Sequence, residues 1–282
     1  MTTRLRDGIR QPKVRTDGTT RYPLSQAHAS VLSQPFELTC FTQAIKHSEW
    51  RGAMAEEFNA LNKNDTWTLV PQSPSHNTVG CKWVFRIKRN SDGSIERYKA
   101  RLVAKGFHQQ PGLDYDETFS LVVKPATIRT VLWIAVTNSW PLRQLDIKNA
   151  FLNGILHEDV FMTQPPSFVD PHRPHHVCKL QKALYGLKQA PRAWFSRFSQ
   201  FLIQFGFKQS TADSSLFIYR HDSPILYLLL YVDDIVLTGS HADFISHFVD
   251  RLDSEFDVKD LGSLRYFLGL EVNSYSEGLH IS

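Results

Sequence analysis

Leu226-Tyr227-Leu228-Leu229-Leu230-Tyr231-Val232-Asp233-Asp234-Ile235-Val236-Leu237 is the stretch that decides how the rest of the chain is read. Two apolar, strand-forming runs flank a pair of aspartates, the pattern of a hairpin buried on at least part of both faces. Neighbouring carboxylates repel each other and resist desolvation unless cations neutralise them. A hard divalent cation with oxygen ligands does this directly, and magnesium is the usual cellular choice. Spacing alone also allows a plain polar turn, since Asp is a common turn residue. The apolar stretch from Ile225 to Leu237 is too short to span a bilayer and carries both aspartates in its middle, so no membrane partner is expected.

Upstream, Leu142 to Phe151 reads as a short strand entering a turn, with Asp146 at the end of the apolar run. A third carboxylate delivered by a second strand would complete a site for two ions about 3.5–4 Å apart, an arrangement that serves nucleotidyl transfer. Helical spacing follows from Pro191, placed as a first-turn proline, through Trp194, Phe195, Phe198, Phe201, Leu202 and Phe205 to a C-terminal cap at Gly206. Ser240 is expected to cap a helix carrying Ile245, Phe248, Leu252 and Phe256. Thr127 to Trp140 predicts a buried helix stopped by Pro141, and Thr39 to Asn62 predicts another, with Ile45, Trp50, Met54, Phe58 and Leu61 along one side. Leu264 to Val272 reads as a strand, and Pro165 to His176 as a proline-broken loop.

Gly80 to Gly106 predicts a second hairpin, turning at Ser91-Asp92-Gly93, with Lys99 and Arg101 on one face of its return strand. Two such cations are either a solvated face or a grip for phosphate. Residues 82–105 hold Lys82, Arg86, Lys88, Arg89, Arg97, Lys99, Arg101 and Lys105 against Asp92 and Glu96. The whole chain is only mildly basic, at +4, which permits a nucleic-acid partner without demanding one. Its 282 residues, 42% hydrophobic with 19 Phe, can bury a real core, which excludes wholesale disorder. The cysteines Cys40, Cys81 and Cys178 are odd in number and far apart, which suits a reducing setting and no disulfide framework. Residues 1–38 read as a linker-like tail, and Met1 to Arg15 lacks the apolar segment of a signal peptide. His172, His175, His176 and Cys178 are zinc-binding types, but their spacing fits no usual structural pattern. No phosphate-cradling glycine loop is present.

Tyr231-Val232-Asp233-Asp234 resembles the catalytic hairpin motif of reverse transcriptases. Gln144-Leu145-Asp146-Ile147-Lys148-Asn149-Ala150-Phe151-Leu152-Asn153-Gly154 is similar to the first aspartate motif of copia-type LTR retrotransposons. Leu184-Tyr185-Gly186-Leu187-Lys188-Gln189-Ala190-Pro191-Arg192-Ala193-Trp194 matches that family's next block. Gly80-Cys81-Lys82-Trp83-Val84-Phe85, Tyr98 to Phe107, Lys259-Asp260-Leu261-Gly262 and Tyr266-Phe267-Leu268-Gly269 follow the same order, from about Trp50 onward. One local departure is Leu121, where the family usually has proline.

This resemblance implies an α+β right-hand polymerase over residues 39–282, with fingers, a palm built on an antiparallel sheet, and a thumb largely absent. It implies an RNA- and DNA-templated DNA polymerase that uses two Mg2+ ions held by Asp146, Asp233 and Asp234. Lys99 and Arg101 become candidates for gripping the triphosphate, with the choice between them open. Phe151 falls under the sugar of the incoming nucleotide, and Tyr185, Lys188 and Gln189 near nucleotide and template. Phe267, Leu268 and Gly269 correspond to a primer grip, and Lys259 is a candidate proton donor to pyrophosphate or a solvated lysine. The implied partners are a primed RNA or DNA template, dNTPs, and the integrase and RNase H segments of a Pol polyprotein, in a cytoplasmic virus-like particle with possible nuclear passage. A truncated remnant that keeps the fold without activity, another two-metal palm enzyme such as a nucleotidyl cyclase, and a plain nucleic-acid-binding module are the competing expectations.

Overall fold

The computed structural model describes residues 37–90, 92–118, 123–221, 223–275 and 278–281. Contacts divide the chain into Met1–Glu37 and Leu38–Ser282, and the second unit is the one described here. The tail reading therefore falls almost entirely, and Leu121 and the turn residue Ser91 wholly, outside the described residues.

The unit begins with helices α1 (Phe41–Ala44) and α2 (Ser48–Lys63). One helix was expected there, but His47 is extended at φ −105° and separates the two. Strands β1 (Trp67–Pro71) and β2 (Thr78–Val79) lead to the basic hairpin, β3 (Cys81–Arg89) and β4 (Ile95–Ala104). Its alternation is clean: Cys81, Trp83 and Phe85 are buried with Ala100, Leu102 and Ala104. Lys82, Arg86, Lys88, Arg97, Lys99 and Arg101 share the other face, because the register pairs Val84 with Arg101, Arg86 with Lys99 and Lys88 with Arg97. Trp50, Met54 and Leu61 of α2 pack into the same core as the buried face of this hairpin.

Helix α3 (Pro125–Thr137) starts on its proline, two residues ahead of the expected Thr127, and ends before Trp140. Strands β5 (Leu142–Ile147), β6 (Ile155–Met162) and β7 (His176–Lys182) follow, with a 3-10 turn over Ala150–Asn153 between β5 and β6. Helix α4 (Ala190–Phe205) has the predicted first-turn proline and ends on Gly206, whose φ of +116° suits a residue without Cβ. Next come β8 (Lys208–Gln209), β9 (Leu216–Arg220), β10 (Ile225–Tyr231) and β11 (Asp234–Gly239). Helix α5 (Ala242–Glu255) is flanked by His241 at its N-cap. Ser240 is not the cap that was expected: its Oγ accepts from the Ile225 N–H at 3.0 Å and closes the base of the hairpin.

The chain finishes with β12 (Val258–Ser263), β13 (Tyr266–Phe267), β14 (Leu270–Tyr275) and β15 (Gly278–Ile281). Leu264–Val272 is thus no single strand. Positive φ at Leu268 and Gly269 folds it into a tight hairpin.

Among the described residues, the central sheet has six strands in the order β12-β5-β11-β10-β9-β8, antiparallel throughout. A second sheet of order β1-β7-β6-β2 is mixed, since β2 runs parallel to β6. Helices packed on mainly antiparallel sheets make an α+β fold. On the central sheet Leu226, Leu228, Leu230, Ile235 and Leu237 point to the face covered by α4 and α5. Leu229 and Val236 point to the other, where Ile128, Val131 and Leu132 of α3 pack. The unbroken apolar run of β10 is explained by this burial on two sides. No helix of the described residues is long and apolar enough to cross a membrane.

Candidate active site

The hairpin β10–β11 brings its aspartates to the edge of the α3-covered face. Tyr231 pairs with Asp234, leaving Val232 and Asp233 as a two-residue turn. Val232 sits at φ +54°, a left-handed conformation that costs a β-branched residue about 1–3 kcal/mol. Two hydrogen bonds hold the turn there. The indole Nε1 of buried Trp194 donates to the Val232 carbonyl at 2.6 Å, and the Ile147 N–H donates to the Asp233 carbonyl at 2.9 Å.

The register between β11 and β5 places Asp234 directly opposite Asp146, and on its other side Asp146 is paired with Lys259 of β12. Directly opposed residues of antiparallel strands share a face. Burial, then the Asp233 charge, pushes the Asp146 carboxyl above its ordinary range, while Lys259, Lys99 and Arg101 pull it down. Burial, then the charges of Asp233 and Asp146, pushes Asp234 up to about 6. The three carboxylates thus repel one another in a half-buried setting, with only oxygen donors to offer. That chemistry suits a hard divalent cation. Among the described residues, no three His, Cys, Asp or Glu side chains stand grouped as a ready-made cage for an ion, and this holds for His172, His175, His176 and Cys178 as well. Cys178 is buried in β7, where burial pushes its thiol up to about 12.

The basic hairpin supplies the opposing charge. The Arg101 guanidinium lies over the Tyr185 ring at 4.5 Å, and Tyr185 meets the Phe151 ring edge-on at 4.9 Å. Arg101 Nε is buried without a hydrogen-bond partner. Burial and the Arg101 charge hold Lys99 below the usual lysine range. Beneath them lies Glu57 of α2, a buried carboxylate that accepts from the Leu102 N–H at 3.3 Å and is pushed upward by burial. Its charge is felt by both Lys99 and Arg101, yet its sequence reads as an ordinary helical glutamate.

Arg101, Tyr185 and Phe151 therefore come together, while two other expected residues are otherwise engaged. Gln189 is 1% exposed, donates to the Asp114 carbonyl at 2.9 Å and accepts from Gln109 Nε2 at 3.0 Å. Lys188 Nζ binds the Tyr115 hydroxyl at 3.0 Å, and its backbone N–H binds Gln109 Oε1. Gln109, Asp114 and Tyr115 carried no signal in the sequence for these bonds, because Lys188 and Gln189 lie more than 70 residues away. The loop they belong to is pinned by two glycines: a Cβ on Gly106 would stand 2.0 Å from the Gly186 carbonyl oxygen, and one on Gly186 2.2 Å from that of Ala104. In the β13–β14 hairpin Phe267 is buried, whereas Leu268 is exposed and Gly269 completes the turn. Lys259 is exposed beside Asp146.

Comparison with known proteins shows the family. The family described as "Reverse transcriptase (RNA-dependent DNA polymerase)" matches residues 64–282. The chain is 55% identical over 241 residues to the retrovirus-related Pol polyprotein from transposon RE1 of Arabidopsis thaliana, covering 85% of this chain and 16% of that protein. It is 50% identical over 283 residues to the corresponding RE2 polyprotein, covering 100% of this chain and 19% of that one. Identity to the Pol polyprotein from transposon TNT 1-94 of Nicotiana tabacum is 40% over 256 residues, covering 89% of this chain and 19% of the relative. The chain thus spans less than a fifth of the length of these relatives. It belongs to the reverse transcriptase (RNA-dependent DNA polymerase) family, in the form carried by the Pol polyproteins of copia-type retrotransposons.

Proposed function

We propose that residues 39–282 form the fingers and palm of an active reverse transcriptase, which adds deoxynucleotides to a primer 3′-hydroxyl on an RNA or DNA template. The observation that carries this reading is the register that sets Asp234 opposite Asp146 at the tip where Asp233 turns. The six-stranded sheet is then the palm and the β3–β4 hairpin part of the fingers.

Asp146, Asp233 and Asp234 would hold two Mg2+ ions, with Asp234 contributing mainly charge. When bound, the ions would neutralise these carboxylates, acidify the primer hydroxyl and steady the leaving pyrophosphate. Lys99 and Arg101 bind the triphosphate; the unpartnered Arg101 Nε is a donor ready for an anionic oxygen. Tyr185 carries the guanidinium over its ring, 4.5 Å from the centroid. Phe151 lies under the sugar, where its ring collides with a 2′-hydroxyl and excludes ribonucleotides. Lys188 and Gln189 serve this site through the loop they brace. Phe267, Leu268 and Gly269 position the primer end, and Lys259 stands beside Asp146 as a proton source for pyrophosphate. The integrase and RNase H portions of the polyprotein are the remaining partners, with a cytoplasmic virus-like particle, or the nucleus, as the site of action.

The test is Mg2+-dependent extension of a DNA primer on poly(rA), beside an Asp233→Asn, Asp234→Asn variant. Extension that disappears in the variant supports the polymerase and its metal site together. A folded wild-type chain that extends nothing is the inactive remnant, and this reading then fails.

A further inference from the structure

Phe107 is 72% exposed, the most exposed of the large hydrophobic residues among those described. Exposed rings are ordinary on mobile loop tips, but the backbone here is held from every side. Lys105 N–H donates to the Gly80 carbonyl at 2.8 Å, Ala104 N–H to the Tyr185 carbonyl at 2.7 Å, and His108 N–H to the Lys105 carbonyl at 2.9 Å. Gly106 lies against the Gly186 backbone with no room for a Cβ. Gln109 and Gln189 bond to each other inside, both almost fully buried. A rigid mount that presents an apolar ring to water gains nothing for folding, since the ring stays hydrated.

The surroundings indicate what covers it. Lys105 and Lys188 make no ion pair with a carboxylate among the described residues, and His108 meets the Phe107 ring edge-on at 4.2 Å. The nearest carboxylate of the loop, Asp114, is turned inward, where Asn77 and the Gln110 N–H occupy it. The mount is also continuous with the site: Gly186 follows Tyr185, which carries Arg101 on its face. An exposed aromatic on a fixed backbone, beside cations that no carboxylate neutralises, is the composition of a stacking platform for unpaired bases along a positively charged track.

Resting on the polymerase reading above, we propose that Phe107 is a stacking platform for an unpaired base of the single-stranded template ahead of the site, with Lys105 and Lys188 along its phosphates. The platform serves any base, because every base offers a π-face, and it binds the template strand before pairing begins.

The experiment uses the purified full chain and fluorescence anisotropy with two labelled primer–templates. One ends flush with the primer 3′ end, and the other carries a single-stranded 5′ template overhang. The wild type should bind the overhang substrate more tightly. Phe107→Ala should lose that preference, about five- to 150-fold from the expected worth of one stacked base, and keep its affinity for the flush duplex. Phe107→Trp should retain the preference. Because the ring contributes little to the core, the alanine variant should melt as the wild type does. An overhang preference absent in the wild type, unchanged in Phe107→Ala, or lost together with flush-duplex affinity overturns the platform while leaving the polymerase reading standing. A chain that binds neither substrate overturns both.

Discussion

Replacing Trp194 by Phe should weaken the fold and disarm the aspartate turn in one step. The indole is 1% exposed and packs against Phe198 and Phe256 at ring distances of 5.1 and 5.4 Å. Phenylalanine keeps one ring, but removes three ring atoms and the donor to the Val232 carbonyl. The missing atoms amount to about 2 kcal/mol of lost burial. The carbonyl left unpaired in a part-buried site costs about 1–3 kcal/mol more. A loss of about 3–5 kcal/mol is expected, read as the midpoint of a urea unfolding curve with unchanged slope. Val232 then has less to oppose its left-handed strain, so primer extension by the folded variant should fall well below that of the wild type. Val232→Gly relieves that strain by itself and should restore part of the activity in the double variant. If stability falls as stated but the two substitutions act additively on extension, the indole packs the core without holding the turn, and the reasoning fails.

Asp234→Asn should stabilise the metal-free protein while abolishing extension. The folded carboxyl titrates at about 6 against an ordinary 3.8. The folded state therefore holds a proton that the unfolded chain has already released, and stability falls as pH rises through roughly 4 to 6. The gap caps the effect at about 3 kcal/mol, and solvent screening at this half-buried position reduces it to about 1 kcal/mol. Urea curves in chelator should show that fall in the wild type and a flatter profile in the variant; equal slopes would refute the assignment. Gly186→Ala, at φ +91° and against backbone, should cost about 3–5 kcal/mol and lower the melting temperature by about 8–15 °C. Gly93→Ala, at φ +84° in open space, should cost only about 1 kcal/mol, and similar melting losses in the two would sink the steric account. Phe151→Val should admit ribonucleotides at least tenfold better relative to deoxynucleotides in single-nucleotide incorporation, and an unchanged ratio removes Phe151 from that role.

Both hairpins were legible because their signals are local: alternation in Cys81 to Phe85, and a charged turn between apolar runs at Asp233. The motif order singled out Asp146, Asp233 and Asp234, of which the register sets Asp146 opposite Asp234 with Asp233 at the adjoining turn. What the sequence withheld depends on partners far along the chain. Which strand stands beside β11, and hence that Asp146 opposes Asp234, is a matter of register across 88 residues. Glu57 and Asp114 look like surface acids because a donor to each, the Leu102 N–H and the Asn77 amide, belongs to another segment. Ser240 looked like a helix cap because its type fits one, yet the Ile225 N–H claimed its oxygen first. Leu264 to Val272 has the residues of a strand, and nothing short of the positive φ at Leu268 reveals that it doubles back.

The bond from Ala104 to Tyr185 and the contact of Gly106 with Gly186 have a mechanical meaning. The last donor of β4 leaves its own hairpin to grip the segment ahead of α4, so the root of the basic hairpin is clamped. With the root fixed there, bending of that arm concentrates toward its distal end, beyond Arg101 and Lys99. The two cations next to the clamp move least, and those near Lys88 and Arg97 move most. An arm clamped at one end thus keeps its inner charges in constant aim and leaves its outer charges the freedom to shift.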